Sequence, residues 1–142
     1  MTRLTREQAV GRVLDDIHAD LGACATIRDL LERQFSAALR HRGAELTALS
    51  EQLMPQLDAM EARRQQRVQL VRALLGPQAT MDDLFGSLPG SLRTRGQTGW
   101  DRLEALVRDC KQATVRNGNL MAEQFTIMQR LLHGEDDTYA PR

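Results

Sequence analysis

Only five of the 142 residues are aromatic, Phe35, Phe85, Trp100, Phe125 and Tyr139, and cysteine occurs twice. A wide globular core usually draws on aromatic bulk, so a core this aliphatic suits narrow helical seams. Cys24 and Cys110 are too few and too far apart for a disulfide framework. On apolar seam positions they read as small hydrophobes. No apolar run approaches the ~20 residues needed to span a bilayer. The opening stretch, MTRLTREQ, lacks the apolar segment of a secretory signal. We therefore expect a cytoplasmic chain with no direct membrane insertion. Charge of one sign is also missing: Lys plus Arg is 19 and Asp plus Glu is 19. The first 75 residues carry 11 basic and 10 acidic groups, so neither half hides an excess. That balance argues against a nucleic-acid binder, which needs a basic face to neutralise phosphates. Leu is abundant at 21 and Ala at 16, against nine for Val plus Ile. That mix favours helix over sheet.

The apolar spacing predicts three long helices. The first opens at a capping box, Thr5 with Gln8. Its stripe runs Val10, Leu14, Ile17, Leu21, Cys24, Leu31, Phe35 and Ala38, in steps of three and four broken only where Arg28 takes a seam position, which marks a coiled-coil-like seam. Gly43 is the expected stop, near 42. The second helix, over 44–75, carries Leu46, Leu49, Leu53, Leu57, Met60, Val68, Val71 and Leu75. Pro55 lies inside it and predicts either a bend or a break. Gly76-Pro77 ends it. The stretch 76–99 holds five of the ten glycines and two of the four prolines, which predicts the main loop. Within it Thr80 to Asp83 could cap one short turn ending at Gly86. The third helix is predicted over 98–133, followed by a flexible tail at 134–142. The fold class expected is all-α: three long helices in an antiparallel coiled-coil-like bundle, one domain over 1–142.

No constellation supports catalysis or a cofactor. His18, His41 and His133 are isolated and lack zinc-ligand spacing. Asp15-Asp16 and Asp82-Asp83 are adjacent pairs, which do not face one another on a helix. No nucleophile elbow or phosphate loop occurs. We expect no enzyme, no metal and no cofactor. Arg63, Arg64 and Arg67 form the one dense basic cluster. Glu51, Asp58 and Glu61 nearby favour a solvated or partner-contacting helix face over nucleic acid.

The informative segment is Arg116-Asn117-Gly118-Asn119. Asn-Gly is a turn signal, so the third helix either breaks here or continues with Gly118 as a flat spot for close approach. In the second case Asn117 offers an amide to a partner backbone. The following stripe, Leu120, Met121, Phe125, Met128 and Leu132, reads as core or as an adaptable surface for partner helices, since Met fits varied shapes.

With these residues the chain resembles the FlgN family of flagellar export chaperones. One likeness is Leu46, Leu49, Leu53, Leu57 and Glu61 leading to Arg63-Arg64. The more specific one is Asn117-Gly118-x-Leu120-Met121, followed by Tyr139 after a polar acidic stretch. The resemblance implies a chaperone without ATP chemistry that holds the C-terminal helical segments of hook-associated (hook-filament junction) proteins. It also implies contact with soluble components of the export apparatus. The partner-binding residues implied are Asn117, Gly118, Leu120, Met121, Phe125, Met128, Leu132 and Tyr139. The alternative from the same features is a structural coiled-coil domain that self-associates through the third helix.

Overall fold

A computed structural model describes residues 4–139, with side chains described through His133. Four helices follow in order: α1 (Arg6–Leu39), α2 (Gly43–Leu75), α3 (Met81–Gly86) and α4 (Gly90–Tyr139). No strand occurs among the described residues.

α1 begins at the predicted capping box. Thr5 Oγ1 accepts from the Gln8 N–H at 3.1 Å, and Gln8 Oε1 accepts from the Thr5 N–H at 2.9 Å. Gly43 is not the stop. The turn is made by His41, whose φ of 56° lies in the left-handed region, and Gly43 is already the first residue of α2. Histidine tolerates that region better than most side chains. Pro55 does not break α2, which is continuous from Gly43 to Leu75. Pro55 is exposed, so the carbonyl one turn earlier can turn to water when the proline offers no N–H. Gly76 ends the helix at a φ of 109°, a conformation that glycine adopts at no steric cost.

The loop predicted over 76–99 is largely helical. Thr80 and Asp83 close a second capping box, with bonds of 3.2 and 2.9 Å, and start α3. Leu84, Phe85 and Leu88 are buried in the largest core cluster, with Val10, Val13, Ile17 and Leu103. α4 begins at Gly90, not Thr98, directly after Pro89, whose carbonyl accepts from the Arg93 N–H at 2.8 Å. Glycine density misleads here because Gly96 serves packing. A Cβ at Gly96 would stand 2.6 Å from a ring carbon of Phe85, so the ring needs bare backbone. At its far end α4 runs through Gly134 to Tyr139, so the tail predicted at 134–142 is helical backbone as far as Tyr139.

α1 is the central element. Asp20 meets Arg63 and Arg67, while Leu30 and Ala37 cluster with Leu49. Rising numbers on α1 pair with falling numbers on α2, so these two run antiparallel. α4 runs parallel to α1. Cys110 Sγ donates to the Cys24 carbonyl at 3.7 Å, Asn117 Nδ2 to the Leu31 carbonyl at 2.8 Å, and Gln124 Nε2 to the Ala38 carbonyl at 2.9 Å. Each pair is 86 residues apart and successive pairs advance by seven. A heptad of polar keys thus fixes the register, as single polar seam residues do in coiled coils. Among the described residues no Cα of α2 comes within 8 Å of one in α4. The two flank α1 and meet through side chains, such as Arg67 over the Trp100 ring at 5.3 Å from its centroid. The three long helices thus do not all pack pairwise as a closed bundle would.

One buried ion cluster ties these elements. The Asp20 side chain is fully buried and accepts from Arg67 Nη1 at 2.7 Å and from Arg63 Nε. The basic cluster is therefore not one solvated face. Arg63 and Arg67 turn inward, while Arg64 lies on the surface bonded to Glu61 at 2.7 Å. Burial pushes the neighbouring Asp16 carboxyl up from its ordinary value, against the pull of Arg67. Its Oδ2 is buried with no hydrogen-bond partner among the described residues.

Candidate partner-binding surface

The seam that α4 presents to α1 outlasts α1. Leu103, Ala113 and Asn117 are buried on it. Its last contact of the ladder is Gln124 on Ala38, and α1 ends at Leu39. The same face of α4 continues at Met128 and Leu131, with Phe125, Ile127 and Leu132 on its flanks, in the spacing of one helical stripe. Nothing among the described residues covers it. Phe125 is 66% exposed, Leu131 61%, Met128 56% and Leu132 55%. Five large apolar side chains within eight residues make a contiguous exposed patch, which marks an interaction surface rather than ordinary scatter.

The structure divides the sequence-predicted residues. Phe125, Met128 and Leu132 share the uncovered stripe. Leu120 and Met121 are half-buried at its start. Asn117 is not a partner contact: it is 1% exposed and its amide is consumed within the chain. Nδ2 donates to the Leu31 carbonyl and to Gln34 Oε1 at 2.9 Å, and Oδ1 accepts from the Arg116 guanidinium at 3.0 Å. A polar residue at a seam position is as well suited to locking register inside a chain as to reading a partner. Gly118 is exposed to solvent one heptad before Phe125, with open space where a Cβ would stand. The helix is continuous through it. Gly118→Ala should accordingly stabilise the fold by up to ~1 kcal/mol, the propensity difference between the two residues in a helix. A rise in melting temperature checks this, and a fall would mean that the bare backbone is needed within the fold. The side chain of Tyr139 lies outside the described residues.

Ile127 and Leu131 join the surface without having been singled out as partner contacts. Ile127 is 49% exposed. Both continue the apolar spacing of α4, Leu131 seven residues after Gln124 and Ile127 beside it, and the missing signal was where α1 stops. Leu39, 53% exposed, adds an apolar group at that end. A second, open groove of about 660 Å³ lies higher on α4, lined by Phe35, Val115, Arg116 and Leu120 among others. Arg116 stands 4.0 Å from the centroid of the Phe35 ring and 3.1 Å from Glu32.

The remaining chemistry is structural. Cys24 and Cys110 are free thiols facing each other across α1 and α4. Burial, and then the neighbouring Cys110, pushes the Cys24 thiol up to about 11, which leaves it inert near neutral pH. Among the described residues no His, Cys, Asp and Glu cluster is placed to hold a metal ion, and no helix is long and apolar enough to cross a membrane.

Comparison with known proteins gives one finding. The family model described as FlgN protein matches residues 9–134. No curated protein and no solved structure matches the chain.

Proposed function

The chain belongs to the FlgN family of flagellar export chaperones, and on that premise we propose that it binds the C-terminal helical segments of hook-associated proteins through the uncovered seam of α4. It does so in the cytoplasm, keeps the clients soluble and delivers them to soluble components of the export apparatus. The observation that carries this reading is the apolar stripe from Phe125 to Leu132, which continues a helix-packing seam past the end of its own partner helix. A surface already shaped to receive a helix is suited to take another, in the helix-in-groove mode. Met128 and Phe125 supply large, adaptable contact area for more than one client sequence.

Shortening the chain after Gln124 tests the proposal. The ladder of Cys110, Asn117 and Gln124 and the buried core stay intact, so helicity of the remainder should persist. Capture of a hook-associated C-terminal segment should be lost. Undiminished capture by the shortened, folded chain would move the client elsewhere. A full-length chain that forms a stable dimer, with the client failing to compete, would favour self-association through α4 instead.

A further inference from the structure

A separate open trough of about 410 Å³ lies between the first half of α1 and the first turns of α4. Leu14 and Leu21 line it from α1 as apolar side chains, and three basic side chains line it too, His18 from α1 with Arg95 and Arg102 from α4. No carboxylate is among the described residues that line it. Asp101, next to Arg102 in sequence, accepts from Gln97 Nε2 at 2.9 Å. His18, Arg95 and Arg102 have no ion-pair partner among the described residues. Other arginines at this end of the molecule are engaged within the chain. Arg93 donates to the Phe85 and Gly86 carbonyls at 3.1 and 2.8 Å, Arg6 to the Ser87 carbonyl at 3.3 Å, and Arg67 to Asp20 at 2.7 Å. The groove at Phe35 differs in charge, since Lys111 and Arg116 share it with Glu123.

We propose that this trough is a docking site for an acidic protein segment that carries an apolar side chain between two carboxylates. Arg95 and Arg102 are seven residues apart, two turns of one helix face, which separates them by about 10 Å along α4. Two carboxylates seven residues apart on a partner helix match that separation. A guanidinium is the side chain best fitted to bind a carboxylate, through two parallel hydrogen bonds. Leu14 and Leu21 repeat with the same spacing of seven on the parallel α1, so an apolar side chain between the two acids has an apolar wall to rest on. A lone small anion would use only one of the arginines and none of that wall. The trough has no aromatic lining residue on which a nucleic-acid base could stack. This site is independent of the client stripe, because Arg102 and Phe125 are about 35 Å apart along α4 at ~1.5 Å per residue.

The test uses the full chain and two fluorescein-labelled helical peptides, each about three turns long. One carries two Glu seven residues apart with Leu between them; the other has Gln in place of each Glu. Fluorescence anisotropy at low salt should show the Glu peptide binding about tenfold tighter, with the gap narrowing as salt is raised. Arg95→Gln with Arg102→Gln should remove that preference at an unchanged melting temperature, since both side chains are exposed. Thr98 is exposed and lines the trough between the two arginines. Thr98→Tyr blocks the trough without changing charge and should weaken the Glu peptide as well. Phe125→Ser with Met128→Ser should leave its affinity as it was. No binding of the Glu peptide, equal affinity for both peptides, or a preference untouched by the arginine substitutions would overturn the proposal. An effect of the arginines without one of Thr98→Tyr would overturn it too, by showing diffuse charge in place of a site. Loss of binding in the Phe125 and Met128 variant would put the peptide on the client stripe instead. Tighter binding of a single-stranded oligothymidylate than of the Glu peptide would likewise rule out an acidic protein segment as the occupant.

Discussion

Asp20→Ala should destabilise the fold by about 3–5 kcal/mol, the cost of leaving a buried charge without its counter-ion. The Asp20 carboxylate is completely buried and holds two arginines from α2. Removing it strands Arg67, only 6% exposed and left with the Trp100 face as a weak substitute. Asp16 stands one turn away and feels Arg67, but burial holds its carboxyl above its ordinary value, so it is a weaker counter-charge than Asp20. Against a domain stability of about 5–15 kcal/mol, this is a large fraction. The melting temperature should fall by on the order of 10 °C. The surface pair Glu61–Arg64 is the control. Arg64 holds the Glu61 carboxyl down to about 2, yet the pair lies on the surface, exposed to solvent. Solvent screening makes such pairs worth little, so Glu61→Gln should leave the melting temperature within error. Equal, small effects of both substitutions would show that the buried cluster does not hold α2 onto α1.

The second large effect is on binding rather than stability. Phe125→Ser with Met128→Ser removes two anchors that are mostly exposed in the free chain. Helicity and melting temperature should hardly change, because neither side chain is part of a core cluster. Burying one such anchor against a client is worth ~1.5–3 kcal/mol. Losing both should weaken binding of a hook-associated C-terminal segment at least tenfold, since ~1.4 kcal/mol is one factor of ten. A melting temperature lowered as far as by Asp20→Ala would assign these residues to the core. Binding at full strength by the folded variant would take the client off this stripe.

The helices were legible because their caps and seams are local. Thr5 with Gln8, Thr80 with Asp83, and Gly76 each do what their side chains or backbone dictate within one turn. The segment 76–99 was misread because glycine carries two meanings. Gly76 turns the chain, whereas Gly96 makes room for Phe85, a residue eleven positions earlier whose arrival no local pattern announces. Asn117 misled for a related reason. Its polar amide on an apolar stripe signals a specific contact, but the sequence does not say whether the acceptor is a partner or Leu31. The arginines behave alike: Arg64 and Arg67 are three residues apart, and only the position of Asp20 on another helix separates surface from core. The exposed half of the stripe was visible as composition. Its availability depends on the length of α1 relative to α4, which appears only once the 86-residue register is known.

Hydrogen exchange along α4, with and without a hook-associated C-terminal segment, tests the central claim most directly. In the free chain, amides from Phe125 to His133 should exchange much faster than those from Leu103 to Asn117, which α1 covers. Client binding should slow exchange over Phe125–His133 and leave the buried half of α4 little changed. Protection that appears on α2 or along Val115–Leu120, with Phe125–His133 still exchanging as in the free chain, would contradict the account.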